Sequence, residues 1–258
     1  MLIKEVIAYM EELAPLPLQE SYDNAGLQIG DALQTFSGGL VCLDVSMEVL
    51  QEAVASGANL VISHHPVLFH PLRQVSTETL AGEVVMYAVR HNLVVYSAHT
   101  NLDNARDGMN ACLGRLLHLE NLRVLLPNPR WEHAGSGAIG ELPDPMTEGE
   151  FLAMVKRELG AESLRHSRLD GRSVRRVALC GGAGAFLLPE ALRQEADAFV
   201  VGEVHYHDFV DFQGRVLMVE TGHYESECVI KSDLVAKLNR KFSNFAASKK
   251  EKTPYQHL

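Results

Sequence analysis

The chain has 258 residues, of which 47% are hydrophobic and 22% are charged, and its formal net charge is −10. This length predicts two modest domains and is enough for a full hydrophobic core, and the composition excludes disordered, collagen-like and disulfide-rich proteins. Residues 1–124 hold most of the acidic excess, with 6 basic and 14 acidic side chains. Because nucleic-acid-binding surfaces are basic, we expect no nucleic-acid partner, and the charge favours cations instead.

The first 15 residues alternate apolar and charged side chains at helical spacing, which predicts an amphipathic helix rather than a signal peptide. No segment approaches the ~18 uncharged apolar residues of a membrane span, so we expect no membrane association. The four cysteines are far apart, each in an apolar context, and form no CxxC pair: Cys42, Cys112, Cys180 and Cys228. Buried free thiols of this kind are typical of a cytoplasmic protein.

Short apolar runs alternate with amphipathic segments in the first half of the chain. Strands are predicted at 40–46, 59–65 and 93–99, and helices at 47–57, 78–92 and 107–119. Near-continuous apolar strands separated by helices predict a parallel sheet with both faces covered.

The pattern breaks at 121–136, where two prolines and the only tryptophan indicate a domain boundary. A second α/β set follows it. Strands are predicted at 134–142, 164–169, 175–182, 198–203 and 215–221, and helices at 147–160, about 186–195 and 224–243. The polar segment 248–258 is expected to be a frayed tail.

Seven of the 12 histidines fall at or just after the carboxyl end of a predicted strand, where open α/β sheets bind ligands. They are His64, His65, His70, His99, His205, His207 and His223. Acidic residues accompany them in the same segments: Asp103, Glu203, Asp208, Glu225 and Glu227. Imidazole nitrogens together with carboxylate oxygens are ligands for a borderline divalent cation, so this pattern predicts a metal site.

Spacing selects among these residues. His223 and Glu227 are four residues apart at the start of a predicted helix, so both side chains can reach one ion. His64 and His65 would face opposite sides of a continuing strand, but Pro66 ends the strand there.

Two other features leave alternatives open. Glu203, His205 and His207 could simply cap the helix that begins there. The glycine-rich turn at 181–186 follows a strand but lacks the Lys-Ser/Thr of a Walker loop, so a tight turn is favoured over a phosphate site. There is no GxSxG elbow and no cysteine beside the histidines, which disfavours covalent catalysis.

Five segments together resemble those of the Nif-three-like family, also known as GTP cyclohydrolase I type 2 homologs. In chain order they are SYDNAGLQIGD (21–31), VISHHP (61–66), YSAHTNLD (96–103), VVGEVHYHDF (200–209) and ETGHYESE (220–227). Within this resemblance, Ala138 stands where the family often has arginine, while the metal-binding segments are intact.

The resemblance implies two α/β domains with mainly parallel sheets and a dinuclear metal site between them, in toroidal homo-hexamers. The metal-ligand domain would comprise residues 1–124 and 216–258, with residues 125–215 inserted as the second domain. The implied ligands are His64, His65, Asp103, His223 and Glu227, with Asp103 similar to the bridging carboxylate.

We therefore expect a hydrolase with two divalent ions that uses metal-bound hydroxide on a nucleotide-like, phosphoester or amide substrate. The general acid–base candidates are His99 and His207. Ligands that are nitrogen and oxygen without sulfur suit Zn, Mn, Fe, Co or Ni. The alternative is a non-catalytic metal-binding protein, either a metallochaperone or a regulatory scaffold hexamer.

Overall fold

A computed structural model describes residues 1–256. Its strands are β1 (Gly26–Ile29), β2 (Gly39–Cys42), β3 (Leu60–Ser63), β4 (Val94–Ser97), β5 (Glu120–Pro127), β6 (Gly135–Thr147), β7 (Arg165–His166), β8 (Ser173–Cys180), β9 (Ala198–Val201), β10 (Leu217–Glu220) and β11 (Phe245–Ala247). Its α-helices are α1 (Ile3–Leu13), α2 (Met47–Ser56), α3 (Leu80–Arg90), α4 (Thr100–Asp103), α5 (Met109–Leu116), α6 (Glu148–Leu159), α7 (Leu188–Arg193), α8 (Tyr206–Asp211), α9 (His223–Glu227) and α10 (Val229–Lys241).

The chain divides into two units, each made from two segments. The first unit contains Met1–Leu102 and Lys231–Lys252, and the second contains Asp103–Ile230 and residues 253–256. The resemblance implied boundaries at 124/125 and 215/216 instead. The difference arises because β5 pairs with β6 and β10 pairs with β9, so both strands belong to the second sheet.

The sheet of the first unit has the strand order β1-β4-β3-β2-β11. Its strands β4, β3, β2 and β11 are parallel to their neighbours, and only β1 is antiparallel. The carboxyl ends of four strands and the start of β1 therefore meet at one edge of this sheet. The sequence predicted β2, β3, β4 and the intervening helices, and missed β1 and β11.

Local signals explain where the helices of this unit begin and end. Ser46 caps α2 by accepting a hydrogen bond from Val49 N, and Gly57 ends the helix in the left-handed conformation with φ of 74°. Thr79 caps α3 by accepting from Gly82 N. Both helices pack their apolar faces into the same core cluster as one face of the sheet.

The sheet of the second unit has the order β5-β6-β8-β9-β10-β7. The expectation of a mainly parallel sheet is wrong here, because only β8, β9 and β10 run parallel and the other neighbouring pairs are antiparallel. The connection between Pro127 and Gly135 is too short for the crossover that parallel strands need. The prolines that indicated a linker therefore lie in a hairpin.

Apolar residues cover both faces of this second sheet. Val177 and Leu179 of β8 belong to one core cluster, and the alternate residues Ala178 and Cys180 belong to another. Since successive strand residues point to opposite faces, the two clusters lie on the two sides of the sheet. The prediction of a mixed α/β fold is thus confirmed.

Two predictions near the carboxyl end are corrected. The single helix expected at 224–243 is divided at Cys228 into α9 and α10. The tail expected to be frayed is tied down at its start, where Ser248 Oγ donates to Glu52 Oε2 at 2.6 Å. Residues 257–258 of that predicted tail lie outside the described residues.

No helix in the described part of the chain is long and apolar enough to cross a bilayer.

Candidate metal centre

Three histidines converge at the carboxyl edge of the first sheet. His64 and His65 directly follow β3, and His99 follows β4, its neighbour in the sheet. One ligand atom of each lies within 4.8 Å of the others, and the ring centroids are 5.0 to 5.5 Å apart. Parallel strand pairing thus brings residues 35 positions apart in sequence to one place.

Each of these imidazoles is held through its Nδ1 atom by an oxygen. The pairs are His64 with Ala98 O at 2.8 Å, His65 with Asp44 Oδ1 at 2.9 Å, and His99 with Asp23 Oδ1 at 2.8 Å. Carbonyl and carboxylate oxygens only accept hydrogen bonds, so Nδ1 carries the proton and Nε2 retains its lone pair. This is the tautomer in which metal-binding histidines are fixed by a second group behind the ring.

Asp23 is the most constrained of these supporting groups. Its Oδ2 accepts from Thr100 N at 3.0 Å and from Thr100 Oγ1, and its side chain is fully buried. Burial raises the pKa of Asp23, but hydrogen bonds from His99 and Thr100 outweigh it and lower that pKa from 3.8 to about 2. Asp23 is therefore a carboxylate at neutral pH and orients the His99 ring.

The second unit has its own donor pair at the end of its parallel strands. His223 begins α9 after β10, and its Nδ1 lies 2.8 Å from Oε1 of Glu203, which follows the neighbouring β9. His223 Nε2 lies 3.2 Å from Oε2 of Glu227, which is buried. The spacing of four residues therefore puts both side chains together, as predicted from the sequence.

Gly182, just after β8, keeps open the space beside these two donors. Its φ is +60°, and a Cβ at this position would lie 2.4 Å from Glu227 Oε1 and 3.2 Å from His223 Nε2. A glycine turn that leaves room beside an imidazole nitrogen and a carboxylate fits a small divalent cation. The donor atoms of both units are therefore suitable for metal ions.

Asp103, the last residue of α4, is tied to the same turn region of the second unit. Its backbone oxygen accepts from Asn110 Nδ2 at 3.0 Å, and Asn110 Oδ1 accepts from Gly181 N at 3.0 Å. Burial raises the pKa of the nearby Cys180 thiol, and the charges of Asp103 and Glu227 raise it further. Cys180 therefore stays protonated, which leaves the carboxylates as the anionic donors here.

His207, the second candidate for proton transfer, is exposed on α8. Its ring contacts that of the neighbouring Tyr206. His205 occupies the N-cap position of α8 and lines a cavity of about 460 Å³ together with Glu203 and His223. Glu203, His205 and His207 were all possible caps of this helix in the sequence. His205 lies at the N-cap position, whereas Glu203 accepts a hydrogen bond from His223.

A larger cavity of about 690 Å³ lies entirely in the second unit. Asp103 is part of its lining, and three arginines, Arg106, Arg115 and Arg123, contribute positive charge. Arg115 is paired with Asp107, and Arg123 donates to Gln194 Oε1. Small lining residues, among them Gly137 and Ala138, leave the interior open.

Sequence reasoning missed several supporting residues: Asp23, Asp44, Asn110 and Gly182. Asp44 had a usable signal, because it follows β2 just as the histidines follow β3 and β4. Asp23 precedes β1, whose antiparallel direction brings its beginning to the same edge. That direction is not visible in the sequence pattern.

Together, the fold and these donors define a two-sheet α/β protein whose strand ends present groups that could bind metal ions. The profile of one family, Duf34/NIF3 (NGG1p interacting factor 3), matches residues 1–254. The chain therefore belongs to the Duf34/NIF3 family, and the resemblance found in the sequence is confirmed.

Relatives and solved structures agree with this assignment. A protein of Clostridium perfringens named GTP cyclohydrolase 1 type 2 homolog is 30% identical over 262 residues and covers all of both chains. One from Lactococcus lactis with the same name is 32% identical over 94% of this chain and 93% of its own. The Staphylococcus aureus hypothetical protein SA1388 has a TM-score of 0.93 at 27% identity, covering 100% of this chain and 99% of its own. A Bacillus cereus protein related to NIF3 shares the fold, with a TM-score of 0.92 at 24% identity over the same shares of the two chains.

The low pKa of Asp23 predicts a specific loss of stability in acid for the metal-free protein. A carboxyl whose pKa is about 2 in the folded state and 3.8 as a free group stabilises the fold above both values. As the pH falls from 4 to 2, the free energy of unfolding of the wild type should therefore drop by about 2 kcal/mol more than that of Asp23→Asn. Denaturant titrations in EDTA at each pH measure this difference. If the free energies of unfolding of the two proteins fell in parallel with pH, the prediction would be contradicted.

Gly182→Ala is expected to weaken metal binding without a matching loss of stability. The new Cβ displaces the Glu227 carboxylate, which is a flexible side-chain end that the fold can move. Gly160→Ala is the matched control, because its φ is +62° and a Cβ there meets nothing within 4 Å. Both variants should lose about 1 kcal/mol of stability from the left-handed backbone. In calorimetric metal titrations only Gly182→Ala should lose affinity, by at least about tenfold; equal affinities would contradict the assignment.

Proposed function

We propose that this protein is a hydrolase that depends on two divalent metal ions. The observation that carries the proposal is that four histidines present Nε2 while an oxygen holds Nδ1: His64, His65, His99 and His223. Surface histidines rarely share such support, whereas metal-binding histidines almost always have it.

We further propose that the donors of the two units join in one dinuclear centre. His64 and His65 would supply one side, His223 and Glu227 the other, and Asp103 would bridge the ions. When bound, such ions supply a water of lowered pKa and polarise the bond to be hydrolysed. Zn, Mn, Fe, Co and Ni all suit this set of nitrogen and oxygen donors.

His99 is the leading candidate for proton transfer. The buried carboxylate of Asp23 accepts a hydrogen bond from its Nδ1 and fixes the ring, so Nε2 is the atom that would take a proton from substrate or water and return it. His207 is the second candidate, and its position on the exposed surface of α8 gives it no comparable partner among those described. We therefore assign general acid–base chemistry to His99 first.

The substrate is proposed to be an anionic small molecule, either a nucleotide or another phosphoester. The arginine-lined cavity supports this class, because guanidinium groups bind phosphate and Asp103 lies at the same cavity. Relatives named GTP cyclohydrolase 1 type 2 homolog make GTP one compound to test.

The assembly and location follow from the resemblance and the cysteines. We propose a toroidal homo-hexamer, with a mass in light scattering near six times the 28.4 kDa of one chain. The four cysteines are free in the described residues, which fits the reducing cytoplasm as the site of action.

His65→Ala tests the metal site and the hydrolase together. Wild-type protein is expected to bind two divalent ions per chain by calorimetry and elemental analysis, and His65→Ala to lose most of the affinity for one ion. His91→Ala is the matched control, because His91 is exposed at the end of α3 and packs on Tyr87.

Turnover is then measured on GTP, phosphoesters and amides with each metal. A loss of turnover in His65→Ala of about 100-fold or more, with His91→Ala unchanged, is expected. Turnover unaffected by His65→Ala would contradict the hydrolase. Two tightly bound ions with no turnover on any compound would favour the alternative, a metallochaperone or regulatory scaffold.

Arg106→Gln tests the substrate class. Arg106 is exposed and lines the cavity, so its replacement should leave folding intact. We expect KM for a phosphorylated substrate to rise about tenfold with little change in kcat, because one charge-assisted contact is lost. Arg130→Gln, an exposed arginine outside the cavity lining, is the control and should leave KM unchanged. Equal KM values in both variants would contradict the assignment of this cavity.

A further inference from the structure

The segment after β11 reaches the end of β2, beside the candidate metal ligands of the first unit. β11 runs parallel to β2 with Ala247 opposite Val41, and Ser248 N continues the ladder by donating to Val41 O at 2.8 Å. Because parallel strands end at the same edge, the residues beyond β11 are delivered to the turn that contains Leu43 and Asp44.

Glu251 binds this turn through its carboxylate. Its Oε1 accepts from Leu43 N at 2.8 Å and from Asp44 N at 2.6 Å, and its Oε2 accepts from Lys231 Nζ at 2.7 Å. Two successive backbone N–H groups pointing at one oxygen form an anion-binding nest. The side chains of Glu251 and Lys231 are only 5% and 11% exposed, so the hydrogen bonds are sheltered from water.

The turn held in this way is the one that supports His65. Asp44 Oδ1 accepts the Nδ1–H of His65 at 2.9 Å, yet the Asp44 side chain is 62% exposed. Packing therefore contributes little to the position of this carboxylate. Its reach to His65 depends on where the backbone of residue 44 lies, and Glu251 fixes that backbone by accepting a hydrogen bond from Asp44 N.

We propose that Glu251, anchored by Lys231, is a positioning residue for His65. It acts through Asp44, which keeps the proton on His65 Nδ1 and so leaves the Nε2 lone pair as the one that would bind a metal ion. The importance of this role for metal binding rests on the proposed function, because His65 is a ligand only if the centre exists. The orientation of His65 in the metal-free protein does not rest on it.

Glu251→Ala tests the proposal in two measurements. In the metal-free protein at pH 7.5, long-range ¹H–¹⁵N spectra report the tautomer of each imidazole; His65 should change from the Nδ1–H form to a mixture, while His64 and His99 keep their spectra. In metal titrations, one of two bound ions should be held 10- to 100-fold less tightly. Glu251→Gln keeps an acceptor oxygen and should restore part of both signals.

Three controls separate positioning from a general loss of structure. Lys252→Ala changes the exposed neighbouring residue and should behave as wild type. Thr79→Ala removes the cap of α3 and lowers stability without touching the turn at 43–44. In an Asp44→Asn background, Glu251→Ala should add less than a twofold loss of affinity, since a residue that acts only through Asp44 has nothing further to lose.

The outcomes distinguish the two proposals. If the wild type binds no metal, the proposed function fails, and the spectra of the metal-free protein still decide the role of Glu251. If the wild type binds metal and Glu251→Ala leaves both the His65 spectrum and the affinity unchanged, the positioning role is overturned. It is also overturned if all three histidine spectra change together, or if Thr79→Ala gives the same result.

Discussion

The candidate site depends on hydrogen bonds that hold one nitrogen of each histidine ring. A free imidazole exchanges its proton between two nitrogens and rotates about two side-chain bonds, so it is a poor fixed ligand. An oxygen acceptor behind Nδ1 removes that freedom for His64, His65, His99 and His223. Three of those acceptors are carboxylates, which places part of the acidic excess of the chain directly behind the histidine rings.

The sheets explain why these acceptors are where the rings need them. In each unit, neighbouring parallel strands end at a common edge, and successive strand ends supply a ligand and its supporting oxygen from different parts of the chain. His65 comes from β3 and Asp44 from β2, while His223 follows β10 and Glu203 follows β9. Each histidine and its supporting carboxylate lie within three residues of a strand end rather than on a long loop. Strand pairing therefore sets the distance between them.

The sequence allowed prediction of the clustered donor residues but not of the groups that orient them. His223 and Glu227 were predictable because helical spacing is local, and His64 and His65 because Pro66 marks the end of a strand. Asp23 and Glu251 were not, because their roles depend on β1 running antiparallel and on β11 joining β2, which are contacts between distant segments. The antiparallel pairings of the second sheet were missed for the same reason.

The ladder between β2 and β11 also affects when the first unit can finish folding. The hydrogen bond from Leu43 N to Glu251 spans 208 residues, and the sheet position beside β2 is filled only by Phe245–Ala247. During synthesis, β2 must remain an open edge while the second unit is made, and closing so long a loop is slow. In a nascent chain, the turn that supports His65 therefore has no contact with Glu251 until nearly the whole protein has been synthesised.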